Sequence, residues 1–221
     1  MALIRPILGE LSGHIAGSTF SRNKGGLYVK RTAHPTNPNT ARQQELRTLL
    51  SHSSGIWAGL DETQRESWRV YAAANPRLNR LGETFNLTGH QMFVALRSAA
   101  VDAGFPAIDN PPVELAPAPL LTLSASAPGG TDDLVLTWTA ASPPAGRLKV
   151  WQAAPHSAGS MPNLRQCKLA GYSAAAPTSP TNITAPTKYV AGMSYTVYVA
   201  VISAEGLESP PLRATFTCSA P

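Results

Sequence analysis

Residues 105–120 read FPAIDNPPVELAPAPL, and their five prolines decide how the chain is divided. Proline fixes φ and removes a backbone donor, so such a run continues neither a helix nor a central strand and makes a stiff, extended connector. The apolar periodicity changes across it, from helical intervals on the N-terminal side to strict alternation on the C-terminal side. With 221 residues the chain has room for two small domains, each with its own core. The connector, residues 106–119, is the expected boundary.

Upstream of it, three capping boxes announce three helices. They are Thr40 with Gln43, Asp61 with Gln64, and Thr88 with Gln91. Leu46, Leu49, Leu50, Ile56, Trp57 and Leu60 recur at helical spacing after the first box. The second opens DETQRESWRVYAAAN, which presents Trp68, Tyr71 and Ala72 on one narrow face before Pro76 ends it. The third helix carries Met92, Phe93, Leu96, Ala99, Ala100 and Ala103, and Gly104 stands where a C-terminal cap belongs. Short amphipathic helices bury one another only as a small cluster. Residues 39–105 are therefore read as a small helical domain with Trp57, Trp68, Tyr71, Phe85, Phe93 and Leu96 as its core.

Downstream, Leu121 and Leu123, Leu134, Leu136 and Trp138, Leu148 and Val150, then Tyr195, Val197, Val199 and Val201 fall at period two between Gly, Pro, Ser and Asp clusters. About a hundred residues of short strands with such turn signals make a β-sandwich, here 120–221. Cys167 and Cys218 are the only cysteines and lack C-x-x-C spacing. Separate thiols are the expectation for a cytoplasmic product, with a disulfide left open if the fold brings them together.

The first 38 residues are different in kind. His14 to Phe20 and Leu27 to Lys30 flank Arg22-Asn23-Lys24-Gly25-Gly26, which predicts a two-stranded hairpin. An isolated ribbon is marginal in water, so this one is expected to lean on the rest of the chain or on a neighbouring subunit. Arg5, Arg22, Lys24, Lys30, Arg31, Arg42 and Arg47 are seven cations against Glu10 and Glu45, a local excess of seven minus two that equals the whole chain's +5. Such an arm attracts nucleic acid, an acidic protein surface or an anionic membrane alike. Without zinc-finger spacing, a recognition-helix pattern or an aromatic ribonucleoprotein motif, nucleic acid is not the expected partner. Residues 1–38 are read as a basic, glycine-rich assembly arm that docks through Arg22, Lys24, Tyr28, Lys30 and Arg31.

Other classes find little support. No apolar run of ~18 residues exists to span a bilayer. Arg5, Pro6, Gly9 and Glu10 interrupt what would be the apolar region of a secretory signal, so synthesis in the cytoplasm is expected. There is no G-x-S-x-G elbow, Walker loop or G-x-G-x-x-G fingerprint. His14, His34, His52, His90 and His156 lack the i, i+4 spacing of a helical metal pair. Asp61-Glu62 suits a helix start and Asp132-Asp133 a strand entry. No catalytic residue, metal or cofactor is expected, and the chain is read as non-enzymatic.

Two resemblances add to this. Leu134-Val-Leu-Thr-Trp138 and Tyr195-Thr-Val-Tyr-Val-Ala-Val-Ile-Ser-Ala-Glu-Gly206-Leu-Glu-Ser209 resemble the second strand, and the penultimate strand with its turn, of a fibronectin type III domain. The likeness runs over about residues 116–219. It breaks at the long HSAGSMPNLRQCKLAGYSAAAPTSPTN insertion. It implies core-packing roles for Trp138 and Tyr195 and a spacing or adhesion role for the domain.

The N-terminal half carries G-x-x-F-S-R-N-K-x-G-x-Y from Gly17, P-x-N-P-x-T-x-x-Q-x-x-x-R from Pro35, L-x-x-x-Q-R-x-x-W-x-x-Y-A-A from Leu60 and L-T-G-x-x-x-F from Leu87. This is similar to poorly characterised proteins encoded by bacteriophages and prophage-like regions, and it implies a particle-associated role. The combined expectation is an α+β multidomain chain: a hairpin arm, a three-helix domain and a fibronectin III-like sandwich. Its expected role is structural, in the virion of a phage or phage-like particle, as capsid decoration, cement or minor capsid protein. It would dock in multiple copies onto other virion proteins, such as major capsid or tail proteins. The alternatives are a tail, collar or fibre-attachment component, or a module recognising a host-surface glycan through Trp151 and Tyr172.

Overall fold

A computed structural model describes residues 2–4, 12–32, 37–79, 81–113, 115–141 and 144–219, with backbone alone for the first of these segments. Arg5, Pro6, Gly9, Glu10, His34 and Pro35, named above, lie outside the described residues.

The arm is a four-stranded antiparallel sheet rather than the two-stranded hairpin expected. Its strands are β1 (Ala2–Ile4), β2 (Gly13–Ile15), β3 (Ser18–Asn23) and β4 (Gly26–Arg31), in the order β1-β4-β3-β2. The stretch His14–Phe20, read as one strand, folds back at Ala16-Gly17, where φ is 45° and 78°. Two successive positive φ values are what a two-residue hairpin turn needs, and Ala16 adopts one without being a glycine. Lys24-Gly25 forms the next turn, with the Asn23 side chain accepting from Gly25 N at 2.9 Å. Ala2 and Ile4 pair with Val29 and Leu27 to supply the outer strand.

All three capping boxes form. Thr40 opens α1 (Ala41–Ile56) and Asp61 opens α2 (Glu62–Ala74), each with reciprocal bonds to the third helical residue. Ahead of α3 (Gly89–Asp102), Gln91 N donates to Thr88 Oγ1 at 3.2 Å and Thr88 N donates to Gln91 Oε1 at 3.0 Å. Gly104, at φ 78°, closes the helix as expected, with Phe105 N donating to Ala100 O.

Burial is not shared equally among the helices. Trp68 and Phe93 are fully buried, with Leu60, Ala72, Met92 and Leu96 close behind. On α1 only Ser53 is buried, receiving a hydrogen bond from Ser98 Oγ, while Leu46, Leu49 and Ile56 are half-buried and Leu50 is 47% exposed. Trp57, in a 3-10 turn after α1, sits half-buried at the cluster's rim, 5.6 Å from the Phe93 ring and 5.4 Å from His90. Phe85 is half-buried on a small hairpin, β5 (Arg77–Leu78) with β6 (Thr84–Phe85), for which nothing in the spacing had prepared.

The connector takes part in this packing. Trp68 Nε1 donates to Asp109 O at 2.9 Å, Arg97 forms an ion pair with the Asp109 carboxylate, and Gln64 Nε2 donates to Asn110 Oδ1. Residues up to Ser98 together with Asp109–Pro111 form one compact unit, and Ala99–Ile108 together with residues from Pro112 onward form the other.

In the second unit, β7 (Leu120–Ser126), β8 (Asp133–Ala140) and β11 (Thr181–Thr184) make a sheet ordered β11-β8-β7. The other sheet, β10-β9-β12-β13, uses β9 (Arg147–Gln152), β10 (Lys168–Tyr172), β12 (Ser194–Ile202) and β13 (Leu212–Thr217). Alternate residues of both, among them Leu134, Leu136, Trp138, Leu148, Val150, Val197, Val199 and Val201, interlock as one core. Trp138 and Tyr195 lie in this core, 7% and 1% exposed.

Strand β12 is buried on both faces, which alternation did not foretell. Thr196 and Ala200 point away from the core yet are at most 1% exposed. The segment after β9 crosses over the first half of the strand. His156 exchanges backbone hydrogen bonds with Ser194 and bonds Thr196 Oγ1 through its ring, and Tyr198 OH donates to Pro162 O. Cys167 and Cys218 are separate thiols, and burial pushes both above the usual thiol range.

Tyr189 packs edge-on against Tyr195 at 4.8 Å and donates its hydroxyl to Gln152 Oε1 at 2.9 Å. Burial above all, with lesser contributions from Tyr195 and Cys218, holds this phenol well above the usual tyrosine range. In the unfolded chain it ionises first, so its contribution is intact below about pH 10 and is lost as pH climbs beyond that. The urea midpoint is expected to fall above that pH, and to fall less steeply in Tyr189→Phe. Identical alkaline loss in the variant would assign the effect to another group.

Candidate docking surface

Strand pairing determines which arm residues share a surface. In the β3–β4 register Ser18 faces Arg31, Phe20 faces Val29, and Arg22 faces Leu27, while Thr19 faces Lys30 and Ser21 faces Tyr28. Directly paired residues lie on the same side and neighbours in sequence on opposite sides. One face therefore carries Phe20, Leu27 and Val29 with Arg22 and Arg31, and β2 adds Ile15 opposite Ser18. The other carries Tyr28 and Lys30 with Ser21 and Thr19, whose hydroxyl hydrogen-bonds with His14 Nδ1 at 2.9 Å and Thr32 Oγ1 at 3.0 Å.

The expected docking set is thus divided. Arg22 and Arg31 share the apolar face at opposite ends of the hairpin, Tyr28 and Lys30 are on the polar face, and Lys24 sits in the turn between the strands. All four cations are exposed. Between Ser12 and Thr32 the sequence itself holds no carboxylate. None of the arm's described side chains reaches full burial: Phe20, Leu27, Tyr28 and Val29 are half-buried, and Ile15 is 60% exposed.

The arm is anchored at one end by Asn79, a residue without a motif to mark it. Its Nδ2 donates to Gly25 O at 2.7 Å and to Glu83 Oε2 at 2.8 Å, and its Oδ1 accepts from Leu81 N and Glu83 N. The turn of the arm hairpin is thereby tied to the turn of β5–β6. Asn in a turn is a common sequence signal, but a bond across more than fifty positions, |i−j| = 54, leaves no local trace.

The sandwich aromatics proposed for a glycan are engaged and sit on strands, not loops. Lys149 Nζ lies 5.0 Å from the Trp151 ring centre and pairs with Glu208, while Tyr172 OH donates to Asp102 Oδ2 at 2.6 Å. Among the described residues, no group of three or more His, Cys, Asp or Glu side chains is placed to hold a metal ion, and no helix is long and apolar enough to cross a membrane.

No family model and no curated protein matches the chain. Solved structures do match in part. A computationally redesigned β-sandwich protein is 16% identical, covering 47% of this chain and 91% of its own at a TM-score of 0.31. A fibronectin III-like protein from Clostridium thermocellum is 23% identical, covering 48% of this chain and 96% of its own at 0.31. The pectate lyase PelI from Erwinia chrysanthemi, solved with tetragalacturonic acid, is 21% identical, covering 42% of this chain and 27% of its own at 0.28.

Proposed function

We propose that this chain is a non-enzymatic structural protein of a phage or phage-like particle, a capsid decoration, cement or minor capsid protein. It docks in multiple copies onto other virion proteins through its N-terminal half and presents a fibronectin III-like domain. The observation that carries the docking role is the arm: a four-stranded sheet whose described side chains stay incompletely buried and whose strands β2–β4 hold cations without a carboxylate. A sheet of that kind gains by adding a partner surface. The phage-type sequence pattern runs through the same half.

For the C-terminal domain, support comes from a sheet of three strands facing one of four, from Trp138 in the core, and from Tyr195. Tyr195 lies at the start of β12, and its hydroxyl accepts at 2.9 Å from the N–H of Val190, five residues upstream, which is the corner arrangement of immunoglobulin-like sandwiches. On a repeating lattice, weak single contacts suffice, since many arms engage together. Because Trp151 and Tyr172 are both engaged, we do not propose glycan recognition.

Sedimentation of particles from cells producing the protein tests this. The full chain is expected to co-sediment in many copies, and a chain lacking residues 1–38 to fall to background while its sandwich melts unchanged. Undiminished incorporation of the armless protein, or absence of the full chain from particles, overturns the proposal.

A further inference from the structure

We infer that the chain self-associates by strand addition: the open edge of the arm sheet, strand β2, takes the connector segment bearing Val113 and Leu115 from a second copy of this chain. Such pairing uses the edge of the sheet and leaves both of its faces for whatever the arm docks on.

The edge has the means to pair. Strand β2 ends the order β1-β4-β3-β2, and every residue from Ser12 to Gly17 is exposed. Ile15 and Ser18 close the two-residue turn, so they and the Gly13–Phe20 pair exchange the ladder's hydrogen bonds. The bond from Thr32 N to Gly17 O fixes the same phase from the β4 side. His14 lies opposite Thr19 between those two pairs, and its N–H and C=O therefore point outward, away from β3. Protein edges are ordinarily blunted by proline, lysine or a bulge. Gly13-His14-Ile15 has none of these, and Ile15 is 60% exposed.

The connector offers the matching strand. Val113 and Leu115 are 94% and 92% exposed, more than any other large apolar side chain among the described residues. Two positions apart, they share one side of an extended chain, the same repeat that puts Gly13 and Ile15 on one side of β2. Between Pro112 and Pro117 every residue keeps its N–H, whereas the flanking prolines supply no donor and favour extended backbone. That window is long enough for the three residues of β2. Residues 106–119 contain no Lys or Arg, so no cation there opposes the exposed Lys30 and Arg31 of the arm.

A second copy is the occupant because one chain leaves both halves of the match unused. Just upstream of Val113, Asp109 O accepts from Trp68, Asn110 Oδ1 accepts from Gln64, and Pro112 is buried, which pins the start of the segment. Among the described residues neither the outer edge of β2 nor Val113 and Leu115 pairs with a strand. Joining them withdraws Ile15, Val113 and Leu115 from water and adds main-chain hydrogen bonds, as in other strand additions. Each copy gives one strand and takes one, a head-to-tail contact that runs on along a row or closes into a ring. One such contact is weak, and repetition adds them together.

Sedimentation equilibrium of the full chain over a range of concentrations tests this, with I15K to charge the edge and V113S/L115S to strip the segment. All three side chains are exposed, so both variants are expected to keep the native melting transition. H14P is a second edge variant, since it removes only an outward N–H at a place where edge strands tolerate proline. The native chain is expected to grow in average mass past the dimer as concentration rises. Each variant is expected to need on the order of tenfold more protein, or above, to reach the same mass. Mixed in equal amounts, I15K and V113S/L115S are expected to form a dimer that grows no further, because the first keeps its segment and the second its edge. A native chain that stays monomeric, variants that associate as the native chain does, or a mixture no heavier than its parts overturns the inference.

Discussion

Gly146→Ala is expected to unfold the sandwich. Gly146 lies just ahead of β9, and a Cβ built there overlaps the Ile202 carbonyl oxygen and comes within 2.7 Å of its carbonyl carbon. Both atoms belong to the backbone at the end of β12, where Ile202 pairs with Arg147, so no rotamer change relieves the overlap. Relief requires moving one central strand against the other, beneath a core that includes Leu148 and Val201. A close-packed interior resists such a shift, and the cost is about 4 kcal/mol or more, a large share of a small domain's stability. Gly171→Ala is the matched control, because its Cβ would meet the Ile183 Cγ2 methyl at 3.6 Å and Thr184 O at 4.0 Å, both ordinary contacts. Urea unfolding followed by tryptophan fluorescence should show a collapsed transition for the first and a near-native midpoint for the second. A native midpoint in Gly146→Ala would show that the two strands do not approach as described.

The second large effect is expected at Trp68. Its indole is fully buried, meets the Phe93 ring edge-on at 5.4 Å and Tyr71 at 5.9 Å, and donates to Asp109 O. Trp68→Ala removes the largest side chain of a small core and leaves a cavity, at a cost of about 3–5 kcal/mol. Trp68→Phe keeps much of the packing and loses the hydrogen bond to an exposed loop, for about 1–2 kcal/mol beyond the volume change. Far-ultraviolet dichroism is expected to lose its helical transition in the alanine variant while the sandwich still unfolds cooperatively. Concerted loss of both would mean that the two units do not fold as independent cores.

Local spacing was enough for the helices and for most of the sandwich. Thr40 with Gln43, Asp61 with Gln64, and Thr88 with Gln91 start helices because a capping box is closed within a single turn, so four consecutive residues contain all its chemistry. Leu134, Leu136 and Trp138, like Val197, Val199 and Val201, alternate into the core because strand geometry imposes period two on any chain that buries one face. The cationic excess of the arm is likewise a property of composition alone.

Pairing and packing decided the rest. Ala16-Gly17 reverses the chain although alanine carries no turn signal, since the gain comes from hydrogen-bonding β2 to β3 and not from Ala16 itself. Arg22, Lys24, Lys30 and Arg31 form one cluster in sequence but fall on two faces and a turn, because register determines sides and a one-residue slip would exchange them. The second buried face of β12 depends on a loop lying across it, and the binding of Trp68 to Asp109 joins residues 41 positions apart. Short-range chemistry is written where it acts. Contacts between distant segments are chosen by the summed burial of the whole fold, so the helices and most sandwich strands were legible in the sequence, while the arm's extra strands, the β5–β6 hairpin and the surface the arm presents were decided only by tertiary structure.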